Sequence, residues 1–138
     1  MMRTITTTAL LLCFCLTGCH THQKCDTCKK APAMQNALGV YRHVVVFKFK
    51  DTTTDVQIKQ IVADFGTLQN DIPEIIAYEH GTNVSPEGLN QGFTHVFLVT
   101  FENKTGLDAY LPHPAHKAFV EKLLPLLEEP FVVDYVAR

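Results

Sequence analysis

From His43 to Lys50 the chain reads HVVVFKFK and alternates at period two, with His43, Val45, Phe47 and Phe49 on one face and Val44, Val46, Lys48 and Lys50 on the other. That is the pattern of a strand. After Thr52-Thr53-Thr54-Asp55, which offers N-cap residues, Val56, Ile58, Ile61, Val62, Phe65 and Leu68 recur at helical spacing up to the Asn70-Asp71-Ile72-Pro73 break. An amphipathic helix is predicted there. Ile75 to Thr82 reads as a second strand, and Asn83 to Gly92, with Ser85, Pro86, Gly88 and Asn90, as a polar loop. Thr94 to Phe101 alternates strictly, placing His95, Phe97, Val99 and Phe101 on one side and Thr94, Val96, Leu98 and Thr100 on the other. This predicts a third strand. A short helix over Lys104 to Leu111, a corner, a longer helix from Pro114 that Pro125 ends or kinks, and a closing strand from Phe131 to Val136 complete the series.

The order is β-α-β-β-α-β, an α+β, ferredoxin-like arrangement with two helices, the second broken, on one face of a four-stranded antiparallel sheet. Val44, Val46, Val96 and Leu98 make the other face too apolar to be left in water. Pairing two such faces would cover them, so a homodimer is expected.

Composition narrows the setting. The chain has 138 residues, 46% hydrophobic and 19% charged, enough for one domain with a real core. A net charge of −2 with acids and bases interspersed leaves no footprint for nucleic acid and no polybasic patch for a membrane surface. The amino terminus gives an address instead. Arg3, a threonine-rich stretch and the apolar run Ala9 to Leu16 lead to Leu16-Thr17-Gly18-Cys19, the layout of a secretory signal with a core too short to span a bilayer. Its last four residues resemble the lipobox of bacterial lipoproteins. That resemblance implies a signal peptide over residues 1–18, lipidation of Cys19, and anchoring in the cell envelope. With His20 after the cysteine, the outer membrane, periplasmic side, is favoured if there are two membranes. Residues 19–39 read as a flexible tether before a domain over residues 40–138. Within the tether Cys25 and Cys28 form a CxxC, open to three readings: a disulfide or inert pair, a soft-metal clamp, or redox work.

The candidate chemistry sits at the corner, DAYLPHPAHKAFV. Leu111 and His113 each precede a proline, which disfavours helical backbone at both and ends the short helix near Tyr110. His113 is then an N-cap candidate, and Pro114 occupies the first helical position at no cost. His116 falls in the first turn, where the helix dipole disfavours a charged imidazole. A neutral imidazole near pH 7 can accept a proton. Tyr110 lies across the same corner, and both can face the side of the sheet that carries His43 and His95 above a Phe/Val floor including Phe47 and Phe97. Such a set would make an apolar pocket with a few directed polar groups. Spacing alone favours a purely structural corner.

From HVVVFKFKD through GFTHVFLVTFEN and DAYLPHPAHKAFV to the final VVDY, the chain resembles the stress-responsive A/B-barrel, or Dabb, family. The resemblance covers nearly all of residues 40–138 and implies a ferredoxin-like protomer that dimerises through its sheet into an α+β barrel. One plant member is a cofactor-free cyclase that closes a linear polyketide by aldol condensation. Its catalytic pair matches Tyr110 and His116, and its pocket histidines match His43, His95 and His113. The resemblance therefore implies His116 as a base beside a carbonyl and Tyr110 as donor to the developing oxyanion, with no cofactor. Where the cyclase carries a large pocket aromatic and a tyrosine, this chain has Leu127 and Phe65. The expected ligand is a small, partly apolar molecule. A non-catalytic stress or envelope module is the rival reading, and metal binding by the barrel histidines or the tether is a third, with no residue assigned as a metal ligand.

Overall fold

A computed structural model describes residues 39–138. The expected signal segment, Cys19 and the Cys25/Cys28 pair lie outside these described residues. Seven elements follow one another: β1 (Tyr41–Phe49), α1 (Asp55–Asp71), β2 (Ile75–Thr82), β3 (His95–Phe101), α2 (Lys104–Tyr110), α3 (Pro114–Leu123) and β4 (Leu127–Val136). The strands form one sheet in the order β2-β3-β1-β4 with every neighbouring pair antiparallel. This is the ferredoxin-like arrangement, its second helix split in two.

Local chemistry explains the boundaries. Thr54 starts α1 through a capping box in which its hydroxyl accepts from the Gln57 N–H while the Gln57 side chain accepts from the Thr54 N–H. Asn103 starts α2 by accepting from the N–H groups of Thr105 and Gly106. A Cβ added at Gly106 would stand 3.0 Å from the Cβ of Phe101, so glycine here lets α2 lie close on β3.

The closing strand begins at Leu127, four residues earlier than its hydrophobic pattern predicts. Backbone pairing with β1 carries it through Glu129 opposite Lys48 and Pro130 opposite Phe47, with an irregularity between Lys48 and Phe49. Pro130 is tolerated because β4 is an edge strand.

The core lies between the helices and the sheet face bearing His43, Val45, Phe47 and Phe49, all buried. Its centre is a stack of rings: Phe65 of α1 stands 4.5 Å from Phe97 and 4.8 Å from Phe119, and Phe97 stands 4.8 Å from Phe47. Such ring contacts add to the burial of large apolar area. The opposite face is apolar too. The register sets Val44 beside Leu98 and Val133, and Val46 beside Val96 and Phe131, with Tyr135 beside Arg42. Phe131, Val133 and Tyr135 remain 53%, 40% and 46% exposed. Among the described residues no helix is long and apolar enough to cross a membrane.

Candidate functional site

The corner departs from its expected backbone at one residue. Leu111 is helical (φ −57°, ψ −45°) despite preceding Pro112, because its N–H still donates to the Leu107 carbonyl as the C-cap of α2. His113 is extended (φ −58°, ψ 136°), as a residue before proline should be, and its N–H closes a turn on the Tyr110 carbonyl at 3.0 Å. With Pro114 next, helix α3 starts there. The His113 Nδ1 accepts from the Ala115 N–H at 3.2 Å, which makes this imidazole the N-cap of α3.

The turn leaves the Leu111 carbonyl without a helical N–H partner, since Ala115 gives its own N–H to His113. His116 fills the gap: its Nδ1 donates to the Leu111 oxygen at 3.0 Å. A carbonyl only accepts, so the proton is on Nδ1 and the lone pair of the neutral ring is on Nε2. Burial holds the His116 imidazole below its ordinary pKa, against the opposing effect of the Leu111 carbonyl, and His43 and His113 push the same way as burial. The sequence places the cause in the helix start. In the structure desolvation is the leading cause.

Tyr110 is 1% exposed and packs its ring 4.3 Å from that of His116, 5.8 Å edge-on to His43 and 5.2 Å from Phe101. Burial raises its phenol well above the ordinary range, and Tyr78 raises it further. Neutral near pH 7, Tyr110 is a hydrogen-bond donor and not an anion.

Beneath this corner is a hollow of about 340 Å³. His43, Asp134, Tyr110 and His116 form its polar part, while Phe47, Phe65, Phe119, Leu123 and Leu127 are among its apolar walls. One tyrosine, two imidazoles and one carboxylate in greasy surroundings are the make-up of a site for a small, mostly apolar ligand oriented by a few polar atoms.

Of the residues expected in this pocket, His43, Phe47, Phe65, Tyr110 and His116 line it and three do not. His95 pairs with Phe47, four residues along β1 from His43, which is about 14 Å at the rise of a strand. It shares the face and not the location. His113 is spent on the cap. Phe97 is fully buried behind Phe47 and Phe65, a foundation and not a wall.

Asp134 is a site residue that the hydrophobic pattern of the sequence does not single out. It faces His43 across β1 and β4, and His43 Nδ1 donates to its Oδ1 at 2.7 Å. This fixes the His43 tautomer whenever that ring is neutral, leaving Nε2 as acceptor. The signal in the sequence is a lone carboxylate inside the apolar run FVVDYV. Tyr78 also belongs to this neighbourhood: Tyr78, Val99, His43 and Asp134 form one row across the four strands. Its sealed hydroxyl has no hydrogen-bond partner among the described residues, and burial pushes its pKa up to about 12. Among the described residues no group of three His, Cys, Asp or Glu side chains is placed to hold a metal.

Residues 41–137 match the family model described as the Stress responsive A/B Barrel Domain. The chain belongs to this family. Among A/B-barrel proteins it is 37% identical to the stress-response A/B barrel domain-containing protein HS1 of Arabidopsis thaliana over 102 residues, 74% of this chain and 94% of that one. It is 32% identical to the olivetolic acid cyclase of Cannabis sativa over 97 residues, 70% of this chain and 96% of the cyclase. The hydroxynitrile lyase of Passiflora edulis superposes with a TM-score of 0.68 at 32% identity, covering 72% of this chain and 94% of the lyase. A dimeric ferredoxin-like protein of unknown function from Thermobifida fusca superposes with a TM-score of 0.62 at 26% identity, covering 70% of this chain and 90% of that one.

Proposed function

We propose that this A/B-barrel protein binds a small, partly apolar carbonyl compound or cyanohydrin-like molecule in the hollow under α3 and moves a proton there without a cofactor. His116 Nε2 accepts the proton next to the carbonyl, and the Tyr110 hydroxyl donates to the oxygen as negative charge builds on it. The observation that carries this reading is the shared hollow: a neutral imidazole with its free lone pair and an un-ionised phenol, ring to ring at 4.3 Å, line one apolar cavity. The names of two similar proteins, a cyclase and a lyase, support chemistry of this kind. The test is exchange of the methyl protons of acetophenone in D2O, followed by NMR. Exchange above the buffer rate that His116→Gln abolishes and Tyr110→Phe reduces is the expected result. Exchange at the buffer rate with all three proteins would overturn it.

The protein works as a homodimer in this proposal. The apolar outer sheet face and the dimeric description of a similar fold support it. Cys19 anchors it by lipid in the cell envelope, at the periplasmic side of the outer membrane where two membranes exist, and the small-residue pattern before that cysteine supports this.

One observation favours a second reading. The His116 Nδ1 bond to Leu111 holds the corner together, as it would in a non-catalytic stress-response module. Proton exchange at the buffer rate, with His116→Ala unfolding at lower temperature, is its signature.

A further inference from the structure

A second recess, of about 450 Å³, lies where α1 crosses the ends of β2 and β3. Ile58, Lys59 and Val62 of α1 line one side of it, and His80, Thr82 and His95 of the sheet line the other. It shares no lining residue with the hollow under α3. His95, expected in that other pocket, belongs here.

The ionisable groups in this recess are all of one kind. The register sets His95 opposite Thr82 and His80 opposite Phe97, so the two imidazoles are diagonal neighbours on the same face of the sheet. Each has a restricted role for its ring. His80 stacks at 6.0 Å on Phe97, while His95 meets Phe49 edge-on at 5.2 Å and engages Thr94 Oγ1 through Nδ1 at 2.8 Å. Both His80 and His95 line the recess. Lys59 takes part in none of the four ion pairs among the described residues. Among the described residues no carboxylate lines the recess. Burial and the nearby His80 both hold His95 below its ordinary pKa, the behaviour of a site that lacks a counter-charge.

Lys59 decides between the two ligand classes that paired imidazoles suit. A divalent metal would meet an ammonium at the wall and would lack a third protein ligand among the described residues. An anion meets the ammonium favourably and draws an imidazole N–H toward it. Ile58, Val62 and the stem of Lys59 offer it apolar cover.

We propose that this recess binds a small organic carboxylate, its charge held by Lys59 Nζ and an imidazole N–H of His80 or His95 and its hydrocarbon part laid on Ile58 and Val62. The site is independent of the proton-transfer reading of the other hollow and stands if that reading fails.

Butanoate is the probe, added to the full-length protein while the histidine Cε1–H resonances are followed by NMR. The resonances of His80 and His95 are expected to move and saturate in the millimolar range, roughly 1–20 mM, as suits one charge-assisted contact with a short chain. Lys59→Gln, an exposed substitution, is expected to weaken this about fivefold or more. Butan-1-ol at the same concentrations is expected to leave both resonances in place. Three results overturn the proposal: no saturable movement up to about 50 mM, equal movement with the alcohol, or unchanged affinity in Lys59→Gln. Movement confined to His43 and His116 would place butanoate in the other hollow and equally defeat it.

Discussion

His43 and Asp134 stand opposite one another across β1 and β4, with Nδ1 donating to Oδ1 at 2.7 Å. The imidazole is buried and the carboxylate about one-third exposed, so losing the acceptor strands a donor where water cannot fully replace it. Asp134→Ala is expected to cost about 1–3 kcal/mol in urea unfolding. Asp134→Asn keeps an acceptor oxygen in the same place and should cost less than half as much. Equal losses in both variants would show that the charge, and not the hydrogen bond, is what the pair provides.

Acid should weaken the fold through two histidines. Burial is the leading cause that keeps His116 and His95 below the ordinary 6.5. In the unfolded chain each takes a proton near 6.5, whereas in the fold each takes it only at lower pH. Their contribution is therefore complete above 6.5 and is lost progressively as pH falls from 6.5 toward the folded values. Urea unfolding at pH about 7.5 and about 5.5 measures the drop, and the His95→Gln/His116→Gln double variant is expected to show a shallower one.

The cap at His113 has its own signature. Because Nδ1 accepts from the Ala115 N–H, His113→Ala is expected to lower stability by about 1 kcal/mol, while His113→Asn, whose side-chain oxygen can take the same bond, retains most of it. Proton exchange on acetophenone should survive His113→Asn. Loss of exchange there with stability intact would give this imidazole a direct role in the hollow.

The outer sheet face is the third place where one substitution is informative. Phe131 and Val133 lie next to Val46 and Val44 with about half their surface open. Sedimentation is expected to show a dimer, and Val133→Asp or Phe131→Glu a folded monomer, because a desolvated charge has no partner in a symmetric apolar contact.

Much of this fold is legible in the sequence because each element carries its own local chemistry. The alternation HVVVFKFK identifies the buried face of β1, and the N-cap candidates from Thr52 to Asp55 and the His113-Pro114 pair mark the starts of two helices. Alternation reveals a face, however, and not a row. His43 and His95 share the inner face, yet the β1–β3 register sets His95 against Phe47 and so at the other end of the sheet. The same limit hid Asp134, whose place opposite His43 comes from long-range pairing of the first and last strands. Leu111 shows a different one: the proline rule speaks for the local backbone, and the hydrogen bond to Leu107 outweighs it. The carbonyl that orients His116 is left open by the next step of the corner, where Ala115 gives its N–H to His113.

The most direct test is the pH titration of the His116 Cε1–H resonance with and without acetophenone. A midpoint below 6.5 that shifts when the ketone is added, and a resonance that Tyr110→Phe also perturbs, is what this account requires. A midpoint at or above 6.5, indifferent to the ketone, would mean that His116 is neither desolvated nor facing a ligand site.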